Sequence, residues 1–301
     1  MYFEGLDIIR LLGFVWVFLH HIQIPVLLIK ENGWIGMDLL FTLSGFLITS
    51  NFLGKPVALK NFYVKRILRI WPLYFLYLFL IGHYQETWLY MLFAGNWQVM
   101  LHGWSNFVLV GHLWAVSMQE QFYLVFPLLF KHLKSVIFWG LILSTALKFV
   151  FFDPKNYFTI YMNTFTRLEP FLLGSLLALY KEKIKKQNAK VWLIFILGLV
   201  SFNLIDVRQS QNIWLVVAGY LFIAIWCASA LHLTLQISNL KFQTVRRFAS
   251  LGFGLYVWHK LGIEWSKGNP FLAFVITSVL AYISYEVYEK WFYKLKNNFR
   301  S

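Results

Sequence analysis

Asn212-Ile-Trp-Leu-Val-Val-Ala-Gly-Tyr-Leu-Phe-Ile-Ala-Ile-Trp-Cys-Ala-Ser-Ala-Leu-His-Leu233 contains no acidic residue, lysine or arginine. As a helix rising 1.5 Å per residue it would extend about 33 Å, enough to cross roughly 30 Å of hydrocarbon. The stretch reads as a transmembrane helix, and the chain repeats the pattern. Further apolar segments cover approximately 8–29, 33–54, 68–83, 109–131, 135–152, 164–180, 191–206, 249–262 and 269–290, which makes ten spans in all. The expected fold is an all-α integral membrane protein, with 1–301 as a single transmembrane domain.

Composition excludes the soluble alternatives. Of the 301 residues 59% are apolar and 13% charged, against about 45–50% and about 25% in an ordinary soluble domain. The 31 Phe, 16 Tyr and 14 Trp would leave large apolar patches on any water-facing globule of this size. The mainly polar stretches near 181–190 and 237–247 are loop-sized, so no soluble domain is expected. Residues 1–10 lack a basic n-region and no Ala-x-Ala-like site follows, so the first apolar run reads as a retained span. Cys227 is the only cysteine, which excludes an intramolecular disulfide and a cysteine-rich metal site. No other cluster suggests a metal.

The net charge of +14 would point to nucleic acid in a soluble protein, but here topology explains it and no nucleic-acid partner is expected. With both termini cytoplasmic, the inner side collects Arg10, five basic residues over 55–69, Lys131 and Lys134, five over 181–190, three over 241–247 and four over 290–300. That is 20 of the 27 lysines and arginines; Lys30, Lys148, Lys155, Arg167, Arg208, Lys260 and Lys267 fall outside or face outward. Glu86–His102 is apolar enough to be an eleventh crossing, but it would place the 181–190 cluster outside. It therefore reads as re-entrant or interfacial. A multi-pass protein of the bacterial cytoplasmic membrane follows, with membrane lipid as its surroundings.

Ionisable groups within spans are costly and form the functional shortlist. They are Arg10, His20, His21, Asp38, His112, Glu120, Arg167, Glu169, His259, Glu286 and Glu289. Arg10 and His21 are eleven residues apart, three helical turns to within about 20°, so they share a face roughly 16 Å apart. His20 points elsewhere. A membrane histidine can make a packing hydrogen bond; beside a basic entrance it can also take a proton near neutral pH. Arg66 and Arg69 stand at i, i+3 before Pro72. Both guanidinium groups can face one anion, a phosphate-bearing ligand or a lipid headgroup. In Gly36–Leu47, Gly36 and Gly45 suit close helix packing, whereas Asp38 and Ser44 place polar groups in an apolar helix.

Five blocks in order resemble the acyltransferase family 3 membrane proteins, the bacterial O-acyltransferases that modify surface glycans. They are Gly5-Leu-Asp-Ile-Ile-Arg10 with His21, Gly36-Met-Asp-Leu-Leu-Phe-Thr-Leu-Ser-Gly-Phe-Leu47, Arg66–Pro72, Leu113-Trp-Ala-Val-Ser-Met-Gln-Glu-Gln-Phe-Tyr123 and Leu251-Gly-Phe-Gly-Leu-Tyr-Val-Trp-His259. One position departs: Gln119 stands where the family usually has the first of two glutamates, leaving Glu120. The resemblance implies transfer of an acyl group, usually acetyl, from cytosolic acyl-coenzyme A to a hydroxyl of a glycan or glycolipid. It implies Arg66 and Arg69 on coenzyme A phosphates, Arg10 at the donor entrance, and His21 as general base. Asp38, Ser44 and Glu120 would orient the imidazole or the acceptor, and Arg167, Glu169 and His259 would lie on the acceptor side. The extracytoplasmic hydrolase-like domain of longer members is not expected here.

Two other functions fit a polytopic chain less well. A lipid-linked glycosyltransferase usually wants acidic residues in its first outer loop, which here offers only Glu31. A proton-coupled carrier using Asp38, Glu120 and the histidines would often show an internal repeat, and Gly36–Leu47 has no partner in the second half.

Overall fold

The structure is a computed structural model that describes residues 5–23, 32–54, 57–81, 88–104, 108–181, 183, 189–202, 206–237, 248–296 and 299. Among them there are helices and no strand. In chain order they are α1 Gly5–His21, α2 Ile35–Gly54, α3 Leu59–Ile81, α4 Trp88–Met91, α5 Gly95–His102, α6 Trp114–Leu129 and α7 Leu133–Phe151. There follow α8 Phe158–Tyr161, α9 Glu169–Tyr180, α10 Ala189–Ser201, α11 Ile213–Leu235, α12 Gly252–Trp265, α13 Pro270–Ser284 and α14 Lys290–Lys296, with a π-helical turn at Tyr285–Glu289.

Each of the ten expected spans overlaps one helix: α1, α2, α3, α6, α7, α9, α10, α11, α12 and α13. Four helical runs, Ile35–Gly54, Gly111–Phe151, Ile213–Leu235 and Pro270–Lys296, are long and apolar enough to cross a bilayer, and α9 and α10 are apolar but shorter. Helix α3 starts nine residues before the expected span, because its basic first turns are helical too. Helix α1 ends at His21, and residues 24–31, where the first span was expected to continue, lie outside the described residues. The ambiguous 86–102 stretch is not one crossing helix. From Trp88 it forms α4 and α5, separated by a turn at Phe93 with φ 53°. An eight-residue helix rises about 12 Å. Gln121 of α6 holds this segment, its Nε2 donating to Phe93 O (2.7 Å) and Asn96 Oδ1 (2.9 Å).

The helices gather into two compact units: Met1–Leu53 with Leu129–Ala249, and Gly54–Leu128 with Ser250–Ser301. In the first, α2 and α9 meet backbone to backbone. A Cβ at Gly45 would lie 1.9 Å from Phe171 O, and one at Gly174 would lie 1.9 Å from Thr42 O. Only glycine permits this approach, which small residues make possible in lipid, where dispersion rather than water exclusion holds helices together. Helix α7 buries Leu133, Ile137, Ser144 and Lys148 at spacings of four and seven, one stripe, while Phe138, Trp139, Leu143 and Val150 face outward. An apolar cavity of about 480 Å³ opens between Ile9, Leu12 and Trp16 of α1, Trp192 and Phe195 of α10, and Trp226 and Leu233 of α11. On α1 its walls lie about 100–180° around the helix from Arg10 and His21.

In the second unit α12 and α13 form an antiparallel hairpin through a turn with Lys267 and Gly268 at positive φ. Asn269 Oδ1 accepts from Leu272 N (3.0 Å) and Pro270 opens α13, so cap and first-turn proline start the helix together. Helix α14 packs on α3. Outward faces are apolar in both units, with Val150 72% exposed in the first and Phe271 79% and Val287 80% in the second. Water is a poor solvent for such faces; hydrocarbon is a good one.

Candidate active site

The first unit concentrates charge where α2, α7, α9 and α11 converge. Arg167, in the turn before α9, donates through Nη2 to Asp38 Oδ1 of α2, and Lys148 Nζ of α7 donates to Glu169 Oε1. All four side chains are 2% exposed or less. Tyr220 of α11 ties the pairs together: its ring centre lies 4.2 Å from Arg167 Cζ and 5.9 Å from Lys148 Nζ. Tyr161 (5.0 Å) and Trp34 (6.0 Å) complete an aromatic enclosure around the guanidinium. Arg208, paired with Asp206 at 2.8 Å, stacks on the Trp34 ring at 4.8 Å. The loop into α9 is held locally, since the Thr166 hydroxyl proton is shared between Ile160 O (2.7 Å) and Asn163 O (3.0 Å). Among the described residues, Asp38 Oδ2, Glu169 Oε2, Arg167 Nε and Nη1 and the Tyr220 hydroxyl are buried with no hydrogen-bond partner. The quartet is electrically neutral yet keeps unused donors and acceptors.

This arrangement corrects the charge count. Lys148 and Arg167, assigned to the outward positions, are internally neutralised and buried, so they contribute nothing to loop charge. Ser44 stands apart from the quartet. Six residues beyond Asp38, it is about 240° further round α2, and its Oγ donates to Leu40 O at 2.8 Å.

Arg10 and His21 lie on α1 in the same unit. Arg10 Nη1 donates to Asp7 Oδ1 at 2.6 Å, one turn earlier. His21 occupies the last turn and is half-buried, its ring 5.7 Å from that of His20. His20 is packed against the chain entering α2, where a Cβ at Gly33 would meet His20 Cβ at 2.2 Å. The two histidines are thus unequal: His20 abuts backbone, and His21 projects about 100° away.

Arg66, Arg69, Glu120 and His259 belong to the second unit. Arg66 Cζ lies 4.1 Å from the Tyr123 ring centre and 5.6 Å from that of Phe62. Glu120 Oε2 accepts from Trp71 Nε1 at 2.9 Å, and its buried Oε1 has no partner among the described residues. Gln119 Nε2 donates to Tyr123 OH, so the residue in the departing position braces the ring on which Arg66 stacks. His259 is wholly buried, its Nδ1 2.5 Å from Tyr256 O and its ring 4.8 Å from that of His112. His112 Nε2 lies 3.0 Å from Val257 O, and Tyr256 OH donates to His112 O. This knot fastens the Gly111–Leu113 turn to α12 and sets His259 inside the protein.

The structure therefore brings Asp38, Arg167 and Glu169 together and keeps Arg10 with His21 on α1. Arg66 and Glu120 it sets in a second neighbourhood. Lys148, Tyr220, Trp34 and Trp71 were missed. Lys148 had a signal: a lysine four residues after Ser144 in a helix whose one other charge is Lys134 in its first turn. Among the described residues no group of three or more His, Cys, Asp or Glu could hold a metal ion.

A polytopic helical chain with buried charge and an arginine pair in the first half of one helix defines a membrane enzyme or carrier, and comparison with known proteins decides between them. The chain belongs to the family described as acyltransferase domain, whose model matches residues 3–289. It is a multi-pass membrane protein of that family. It is 27% identical to the Bacillus subtilis (strain 168) protein named "Putative peptidoglycan O-acetyltransferase YrhL", over 96% of this chain and 54% of that one. It is 25% identical to "O-acetyltransferase OatA" of Staphylococcus aureus (strain NCTC 8325), over 96% of this chain and 57% of that one. A Staphylococcus aureus (strain COL) protein named "Putative O-acetyltransferase" is 26% identical over 86% of this chain and 50% of its own length. The chain thus spans about half the length of the curated relatives it matches. No solved structure matches.

Proposed function

We propose that the chain is a membrane O-acyltransferase with ten crossings and both termini cytoplasmic, moving an acetyl or similar acyl group from cytosolic acyl-coenzyme A to a hydroxyl of a cell-envelope glycan. The observation that carries this is the family match over residues 3–289, joined to the half-buried arginine pair of α3. Relatives named for peptidoglycan O-acetylation favour an envelope glycan as acceptor. The site is the bacterial cytoplasmic membrane, where donor and acceptor lie on opposite sides.

In this reading His21 accepts the proton of the acceptor hydroxyl as its oxygen forms a bond to the thioester carbonyl carbon. The carbon–sulfur bond breaks, and the imidazolium returns the proton to the departing thiolate. General-base help of this kind is typically worth about 10²–10⁴ in rate. Arg66 and Arg69 bind donor phosphates bidentately, and Arg10, held by Asp7, lines the approach. Asp38, Arg167 and Glu169 offer unused buried donors and acceptors to the sugar side, with Ser44 further along α2. Glu120, held by Trp71, orients donor or acceptor in its own unit. His259, expected to touch the acceptor, is read instead as a packing residue of the His112 knot.

The test is transfer of radiolabel from acetyl-coenzyme A to envelope glycan by purified protein. His21→Ala should abolish transfer while the protein remains folded. An active H21A protein beside an inactive H20A one would move the base by one residue. Loss in neither would refute histidine catalysis on α1.

A further inference from the structure

Helix α14 packs against α3, and its last residue, Lys296, comes to lie beside the basic turn of that helix. Lys65, Arg66 and Arg69 occupy positions i, i+1 and i+4, so Lys65 and Arg69 share one face and Arg66 flanks it. The charges of Arg69, Arg66 and Lys65 all bear on the Lys296 ammonium, whose Nζ lies 5.3 Å from the Tyr293 ring centre. The charge of Arg69 bears on Tyr293 and Glu289, while that of Arg66 bears on Glu120. Two carboxylates thus face four cations. Each cation is only partly exposed to water. Like charges gathered at a helix seam repel, and a seam needed only for packing is better served by apolar side chains.

We propose that Lys296 completes an anion site with Arg66 and Arg69 that takes a ligand bearing two or more phosphate groups, gripped from α3 and α14 together. The proposal rests on the reading that this end of the protein receives a phosphate-bearing acyl donor. Arginine forks hold one phosphate bidentately and a lysine adds a point charge from another direction. Net of Glu120 and Glu289 the cluster carries two positive charges, which balance the two charges of a pyrophosphate diester, and cations on two helices can meet both of its phosphates at once. The same chemistry could be met by an anionic lipid headgroup, which the experiment separates.

The full chain in phosphatidylcholine nanodiscs is titrated with coenzyme A, adenosine 3′,5′-bisphosphate and inorganic phosphate. Lys296→Ala is expected to weaken coenzyme A binding about tenfold, the loss of one charge-assisted contact, with K296R recovering most of it. Inorganic phosphate should bind far more weakly than the other two. Lys290→Ala, on the exposed side of α14 where Lys290 pairs with Glu286 at 2.7 Å, should change nothing. Lys296→Met, which keeps the aliphatic stem, replaces the alanine variant should the latter unfold. Native coenzyme A affinity in the Lys296 variants, beside lost affinity in R66A/R69A, overturns the proposal and leaves the donor reading intact. Native affinity in R66A/R69A as well overturns the donor reading itself. An effect of Lys296→Ala seen only as weaker retention of phosphatidylglycerol makes the cluster a headgroup site and overturns the proposal too.

Discussion

Removing one member of the Lys148–Glu169 pair should destabilise the protein far more than removing both. The ammonium is wholly buried and the carboxylate 1% exposed, so neither can fall back on water when its partner goes. Breaking a buried pair by deleting one partner costs about 3–5 kcal/mol, because the remaining charge keeps its desolvation penalty without compensation. Glu169→Gln and Lys148→Met preserve shape and each remove one charge. Each should cost about 3 kcal/mol, roughly a 150-fold shift in the unfolding equilibrium. The double variant K148M/E169Q should lie within about 1–2 kcal/mol of native, giving a coupling of several kcal/mol in a double-mutant cycle. The assay is reversible unfolding in mixed micelles, followed by far-ultraviolet circular dichroism. Acetyl transfer measured on the same samples separates stability from function: a double variant that is stable yet inactive places the pair in acceptor recognition. Additive single effects, or a single variant as stable as native, would refute the ion pair as described.

Trp71→Phe keeps an aromatic side chain but removes the five-membered ring of the indole, and with it the N–H that serves Glu120. It should lower transfer about tenfold if that carboxylate orients a substrate, and steady-state rates with acetyl-coenzyme A check this. Gly45→Ala and Gly174→Ala place a methyl within 1.9 Å of a facing carbonyl oxygen, so each should cost at least about 1–3 kcal/mol of overpacking. Gly54→Ala, with nothing within 4 Å, should be neutral in the same thermal scan. The sole cysteine, Cys227, is buried, so a maleimide should label native protein far more slowly than protein unfolded in sodium dodecyl sulfate.

Helix positions were legible because hydrocarbon imposes one rule: a crossing must be apolar for about 20 residues and satisfy its own backbone. Segments such as 135–152 and 212–233 therefore announce themselves. The start of α3 was misjudged for the converse reason, since a basic turn such as 60–69 has no apolar signal although it is helical. Among site residues, Asp38, Arg167 and Glu169 stood out as charges in apolar surroundings, but their pairing across 129 residues of sequence has no local signature. Lys148 was misread because a lysine near a helix end looks like loop charge; only the stripe shared with Ser144 betrays its inward direction. His259 had the reverse problem. A histidine at the end of an apolar motif looks chemical, and its partner His112 lies 147 residues earlier in a turn of no distinctive composition.

The internal charge pairs also bear on how the chain is made. Helix α7 emerges from the ribosome before α9, so Lys148 meets the translocation channel before Glu169, 21 residues behind it, can reach the membrane. A lysine near the middle of a span raises the insertion free energy by about 2.5–3.5 kcal/mol, and less near an end where the side chain can reach the interface. The surrounding Phe149, Val150 and Phe151 oppose that penalty. Arg167 arrives in the opposite circumstance, with Asp38 already in place. Insertion of α7 should therefore be provisional until α9 follows, and a chain truncated between them should hold α7 less firmly in the bilayer than the full-length chain does.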